Sequence, residues 1–157
     1  MFANRNLGLA AQSISIWVVS FLLLGCTCRQ ELRMTREAPP TFYLKGNAVF
    51  DWLEVFDLGS SVTSTGEPRP IWRIQPTVAA PALNAVPPIV YGKVPNGFAQ
   101  DNPNDEPPPL QEGHRYRLRV IVRTPNEIQL DEVFVIHNGK VDVIEGTEQY
   151  QSTCGGD

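Results

Sequence analysis

Fourteen prolines in 157 residues, spread from Pro39 to Pro125, limit this chain more than any other feature. Proline fixes φ and donates no backbone hydrogen bond, so it stops helices and is tolerated only at strand edges, strand starts and turns. With 12 glycines as well, the chain has many turns and little room for long helices. Short β-like runs fill the gaps, and 42% apolar residues is ordinary for a globular core. The pattern predicts an all-β chain: an antiparallel, Ig-like β-sandwich of about seven short strands.

The runs are Thr41 to Leu44, Ala48 to Asp57, Ile71 to Ile74, Ile89 to Val94, His114 to Arg123, Glu132 to His137 and Lys140 to Glu145. In the fifth, Tyr116, Leu118, Val120 and Val122 alternate with Arg117, Arg119, Ile121 and Arg123. That is a half-buried strand with a cationic outer face. The last two runs flank Asn138-Gly139, a dipeptide that accepts the positive φ values of a type I′ turn. Pairing across it sets His137 against Lys140, Ile136 against Val141, Val135 against Asp142 and Phe134 against Val143. Phe134, Ile136, Val141 and Val143 should then face the core. Trp52 and Trp72 lie within strands and are expected in the core too.

Residues 58–70 and 95–113 read as long connections, the second holding Pro95, Pro103, Pro107, Pro108 and Pro109 among Asn, Asp and Glu. The acidic group Asp101, Asp105 and Glu106 lacks the spacing and central glycine of an EF-hand. No Ser-His-Asp arrangement, P-loop, dinucleotide fingerprint or zinc spacing occurs, and His114 and His137 sit beside turns. Neither a metal nor a cofactor is expected. Arg117, Arg119 and Arg123 form a candidate anion-binding strand face, unless carboxylates opposite pair with them. The net charge of −4 and the lack of a basic run argue against nucleic acid as a partner.

Ahead of these runs, Ile14 to Leu24 form an apolar block of about eleven residues, half of the roughly 20 that a spanning helix needs. It ends in Leu23-Leu24-Gly25-Cys26, which resembles the lipobox of bacterial lipoproteins. The resemblance implies cleavage after Gly25, lipid on Cys26 and a chain tethered in the cell envelope. Two or three acyl chains would hold it there durably. Thr27 follows, where lipoproteins kept in an inner membrane often carry Asp, so an outer membrane is favoured if the host has two. An uncleaved helix lengthened by residues 7–13, or a secreted protein with an incidental Cys26, are the alternatives.

The expected division is a signal peptide over residues 1–25, a polar lipidated tether over 26–40 and a sandwich over 41–157. A tether of about 12 residues reaches roughly 40 Å at full extension. With Cys26 lipidated, Cys28 and Cys154 make the only intramolecular pair, and an exported chain meets oxidising surroundings. The alternative is two unpaired thiols. A bridge would shorten the tether and bring the domain close to the membrane.

A second resemblance covers roughly residues 48 to 123. Trp72 and Ile74, then Tyr91, Gly92, Val94, Pro95, Gly97, Phe98 and Gln100, then Pro109, Leu110, Gly113 and Tyr116 resemble a pattern of small uncharacterised bacterial envelope proteins. It implies a β-rich domain and no activity. The expectation is therefore a non-catalytic binding or structural domain with an envelope protein or wall polymer as partner. The alternatives are an accessory subunit of an envelope complex and a small hydrolase using Asp101, Asp105, Glu106 or His114.

Overall fold

A computed structural model describes residues 27–59, 68–124, 127–146 and 151–153. Strands β1 (Thr27–Arg29), β2 (Glu31–Met34), β3 (Thr41–Lys45), β4 (Val49–Asp57), β5 (Pro70–Pro76) and β6 (Ile89–Val90) come first. They are followed by β7 (Phe98–Asn102), β8 (Arg115–Arg123), β9 (Glu127–His137), β10 (Lys140–Gly146) and β11 (Gln151–Thr153). Two antiparallel sheets make the sandwich, one ordered β10-β9-β8-β4-β5-β7 and the other β2-β3-β6. A separate pair, β1 with β11, joins the first and last described strands. Among the described residues no helix is long and apolar enough to cross a membrane.

Alternation builds the core. Tyr116, Leu118, Val120 and Val122 of β8 are buried, together with Ile128, Leu130, Phe134 and Ile136 of β9. They meet Phe42, Ile89 and the half-buried Leu32, Met34 and Leu44 of the small sheet. In β4 the alternation breaks once: a bulge between Phe50 and Trp52 lets Phe50, Leu53 and Val55 all point inward, because an extra residue resets the face. The same bulge turns Trp52 outward, where Arg73 lies over its ring at 5.0 Å. Trp72 is in the core as expected; Trp52 is not.

All seven expected runs hold a strand, although the fourth shrinks to Ile89–Val90. The hairpin has the expected register, with Asn138 at φ 53° and Gly139 at φ 69°. Phe134, Ile136 and Val141 are buried, but Val143 is 51% exposed. It lies beside a bulge midway along an edge strand of the large sheet. The edge of β10 is in turn capped by the β2–β3 connection. There the Val141 amide donates to the Arg36 carbonyl at 2.8 Å and Ala38 to Gly139 at 3.4 Å.

Three further strands, β1, β2 and β7, come from stretches read as tether and loop. Phe98–Asn102 extends the large sheet by pairing with β5, so residues 95–113 are not one open connection. Glu31–Met34 pairs with β3 along its whole length, so the folded domain takes in most of the segment assigned to the tether. Gln30, between β1 and β2, is 1% exposed, and its Oε1 accepts from the Ala48 amide at 3.4 Å. Gly46 packs so closely there that a Cβ on it would stand 1.8 Å from Gln30 Oε1.

Candidate binding groove and charged sheet face

The arginines singled out from β8 lie on the outer face of the large sheet, and each meets a carboxylate. Arg123 pairs with Asp51, its Nε 3.1 Å from Oδ2. Arg117 Nε donates to Asp131 at 2.8 Å. Arg119 lies 3.9 Å from Glu54 and 3.8 Å from Asp131. Glu54 is also 3.6 Å from Arg73, which reaches Asp101 at 3.2 Å. Register explains the row: Glu54 stands directly opposite both Arg73 and Arg119, and Arg119 opposite Asp131. Charges of alternating sign therefore run straight across β7, β5, β4, β8 and β9. Directly opposed unlike charges stabilise a sheet pair, and the guanidinium of Arg119 also covers the Phe56 ring at 4.8 Å. What reads in sequence as a free cationic face is a neutralised one.

The residues of the second resemblance converge on one structural task. Trp72 is fully buried, and its indole N–H donates to Gln100 Oε1 at 2.8 Å. Gln100 Nε2 donates onward to the carbonyls of Pro103 and Asp105. Tyr91 packs edge-on against Trp72, centroids 5.2 Å apart, and its hydroxyl donates to the Pro108 carbonyl at 2.7 Å. At the far end of the loop the Gln111 amide donates to the Tyr116 hydroxyl at 2.7 Å, resembling the corner tyrosines of sandwiches. Burial pushes both tyrosine hydroxyls upward in pKa, so they remain neutral at physiological pH. Gly92 and Gly113 hold φ of 81° and 77°, values that favour glycine at the loop's entry and exit.

This bracket fixes residues 103–111 against the sandwich and leaves a groove of about 770 Å³. Pro107, Pro108, Pro109 and Leu110 form one wall, Ala38 and Pro39 the other, and Tyr91 and Gly92 lie between them. Lys93 and Glu106 supply one charge of each sign at its margin. Rigid, mostly apolar walls with a few polar groups are the usual make-up of a ligand site, and proline rings lose no rotamer freedom on contact. In the sequence these prolines read as part of a long connection, with nothing to mark a groove. The signal lay in their closeness to Tyr91-Gly92, which becomes visible once the Tyr91–Pro108 hydrogen bond is known.

The remaining candidates lie apart from one another. Asp101 is held by Arg73, Glu106 lines the groove, and Asp105 is exposed. His114 sits just before β8, its Nδ1 3.1 Å from Asp57 Oδ2 and its ring stacked on Tyr116. His137 is 3.6 Å from Glu112, whose carboxylate also accepts from the amides of Asn138 and Gly139 at the hairpin tip. Among the described residues no three His, Cys, Asp or Glu side chains gather as metal ligands would. Cys28 belongs to β1, opposite Ser152; Cys26, Cys154 and the apolar block lie outside the described residues.

One group escaped the sequence reading. Glu132 shares the inward parity of Leu130 and Phe134 on β9, opposite Leu118. Its Oε2 is buried without a hydrogen-bond partner. Burial alone pushes its pKa up to about 7, because desolvation disfavours the charged form.

Fold and site together define an all-β sandwich protein with a proline-walled groove and a charge-neutralised outer face. Compared with known proteins, the chain matches no family model, no curated protein and no solved structure.

Proposed function

We propose that the protein is a lipoprotein of the bacterial cell envelope, held by lipid on Cys26, whose sandwich works by non-covalent binding. The groove between Pro39 and the Pro107–Leu110 wall carries the binding half of this reading. It is held open by the Trp72–Gln100 and Tyr91–Pro108 hydrogen bonds, and it suits an extended segment of an envelope protein or wall polymer. The anchoring half rests on Leu23-Leu24-Gly25-Cys26 and the apolar block before it. In a host with two membranes, Thr27 favours the outer one.

A Cys28–Cys154 bridge belongs to the same proposal. Cys28 stands opposite Ser152, which lies two residues before Cys154 in the chain. Bringing Cys154 opposite requires a two-residue shift of β11, a shift that leaves every side chain on its own face. Intact and reduced peptide masses decide whether the bridge exists.

An accessory subunit of an envelope complex is the second reading, favoured by Val143 and Ile144, 51% and 48% exposed on the outermost strand of the large sheet. A hydrolase would need a nucleophile and a base brought together, whereas Asp101, Glu106 and His114 each serve a different neighbourhood.

The test places a photocrosslinking residue at Lys93, on the groove margin, or at Gln129, on the outer face of β9, in the lipidated protein in cells. Adducts with an envelope protein or wall polymer are expected from position 93 alone; equal yields from both positions would reject the groove. In parallel, Cys26→Ser should release the protein from the membrane fraction. Full retention of that variant would reject the anchor.

A further inference from the structure

Building on lipidation at Cys26, we infer that the outer face of β1, β2 and β3 is a docking surface for anionic phospholipid head groups. The domain has almost no slack with which to stand away from a bilayer. Strand β1 starts one residue after Cys26, and the lone linking residue between β1 and β2, Gln30, is buried and hydrogen-bonded to Ala48. Arg29, three residues from Cys26, can lie no more than about 10 Å of extended chain from the lipid-bearing sulfur.

The face that begins at Arg29 has the chemistry of a membrane interface. Register sets Glu31 opposite Lys45 and Arg33 opposite Tyr43, with Leu32, Met34, Leu44 and Phe42 turned to the core. Arg29, Arg33 and Lys45 supply three cations, and Tyr43 is 46% exposed among them. Glu31 is the one carboxylate among the described residues of this face, and it is shared between Arg29 at 3.5 Å and Arg33 at 3.0 Å. The face is thus net positive on a protein whose overall charge is −4. A shallow recess of about 470 Å³ lies among Glu31, Arg33, Tyr43, Leu44 and Lys45.

Each Lys or Arg near an anionic bilayer strengthens binding about fivefold. Tyrosine suits the head-group layer because one end is apolar and the other wet. With the adjacent cysteine already in the membrane, docking is intramolecular, so contacts too weak to recruit a free protein suffice to orient a tethered one.

The chain's three lysines, Lys45, Lys93 and Lys140, are all exposed and report on three places at once. The processed, lipidated protein is bound to phosphatidylglycerol-containing vesicles, floated, and treated with a membrane-impermeant acylating reagent. Lys45 should react at least tenfold more slowly than in detergent micelles, while Lys93 and Lys140 keep their rates. Protection of Lys45 should disappear on pure phosphatidylcholine and in an Arg29→Glu/Arg33→Glu variant that still floats. Flotation with Lys45 fully reactive would overturn docking and leave the anchor standing. Failure to float would overturn the anchor itself. Equal protection of Lys45 on both lipids would overturn the electrostatic basis.

Discussion

The outer faces of the two sheets carry the same kinds of residue to opposite ends. On the large sheet, Arg73, Arg117, Arg119 and Arg123 sit among Asp51, Glu54, Asp101 and Asp131. On the small one and the adjoining β1, Arg29, Arg33 and Lys45 have Glu31 as the one carboxylate among the described residues of that face, and it pairs with the two arginines. An arginine's meaning is therefore set by what the register places opposite it. Glu54 is central: 8% exposed and aligned between two guanidiniums, it converts a cationic strand face into a closed ion-pair row. Such a row disfavours strand slippage, because a one-residue shift drives charges into the core.

Glu54→Gln should break the contrast most strongly. It leaves Arg73 and Arg119 poorly compensated and should lower stability by about 3 kcal/mol, read as a reduced urea midpoint at unchanged slope. Gln100→Ala comes next, at about 2 kcal/mol, since the Trp72 indole and two loop carbonyls lose their partner; hydrogen exchange should rise across residues 103–110. Glu132→Gln sharpens the comparison by pH. Its folded pKa of about 7 lies above the ordinary 4.5, so the folded state keeps the proton longer. Stability is then greatest below about pH 4.5, falls as pH rises toward 7 and is level above that. The variant should gain about 1 kcal/mol at pH 8, after allowing for solvent screening of a partly exposed group, and almost nothing at pH 4; an equal gain at both would remove the titration argument. Smallest of all, Arg33→Gln on the small sheet should stay within about 0.5 kcal/mol of the parent in denaturation.

Local chemistry was legible and long-range pairing was not. Asn138-Gly139 and the alternation in Tyr116–Val122 fixed a hairpin and a core strand, because both depend on neighbours a few residues away. Strand β7 escaped since Phe-Ala-Gln-Asp-Asn neither alternates nor favours strands; it exists because β5 offers an edge. Strand β2 escaped because its polar residues form one face and its two apolar ones, Leu32 and Met34, need β3 beside them to show it. The pairing of Arg119 is set by Glu54 of β4, far away along the chain, and the outward turn of Trp52 by a bulge with no sequence mark. The groove was invisible for the same reason, its walls coming from segments around Pro39, Tyr91 and Pro108.

The pairing of β1 with β11 has a consequence in time. Among the described residues this contact joins the strands farthest apart along the chain, so it carries the largest loop-closure entropy of their pairings. The two main sheets can form from residues in between without it. Closure beside Thr27 is therefore expected late in folding, and a chain truncated before Gln151 should keep both main sheets while leaving β1 unpaired.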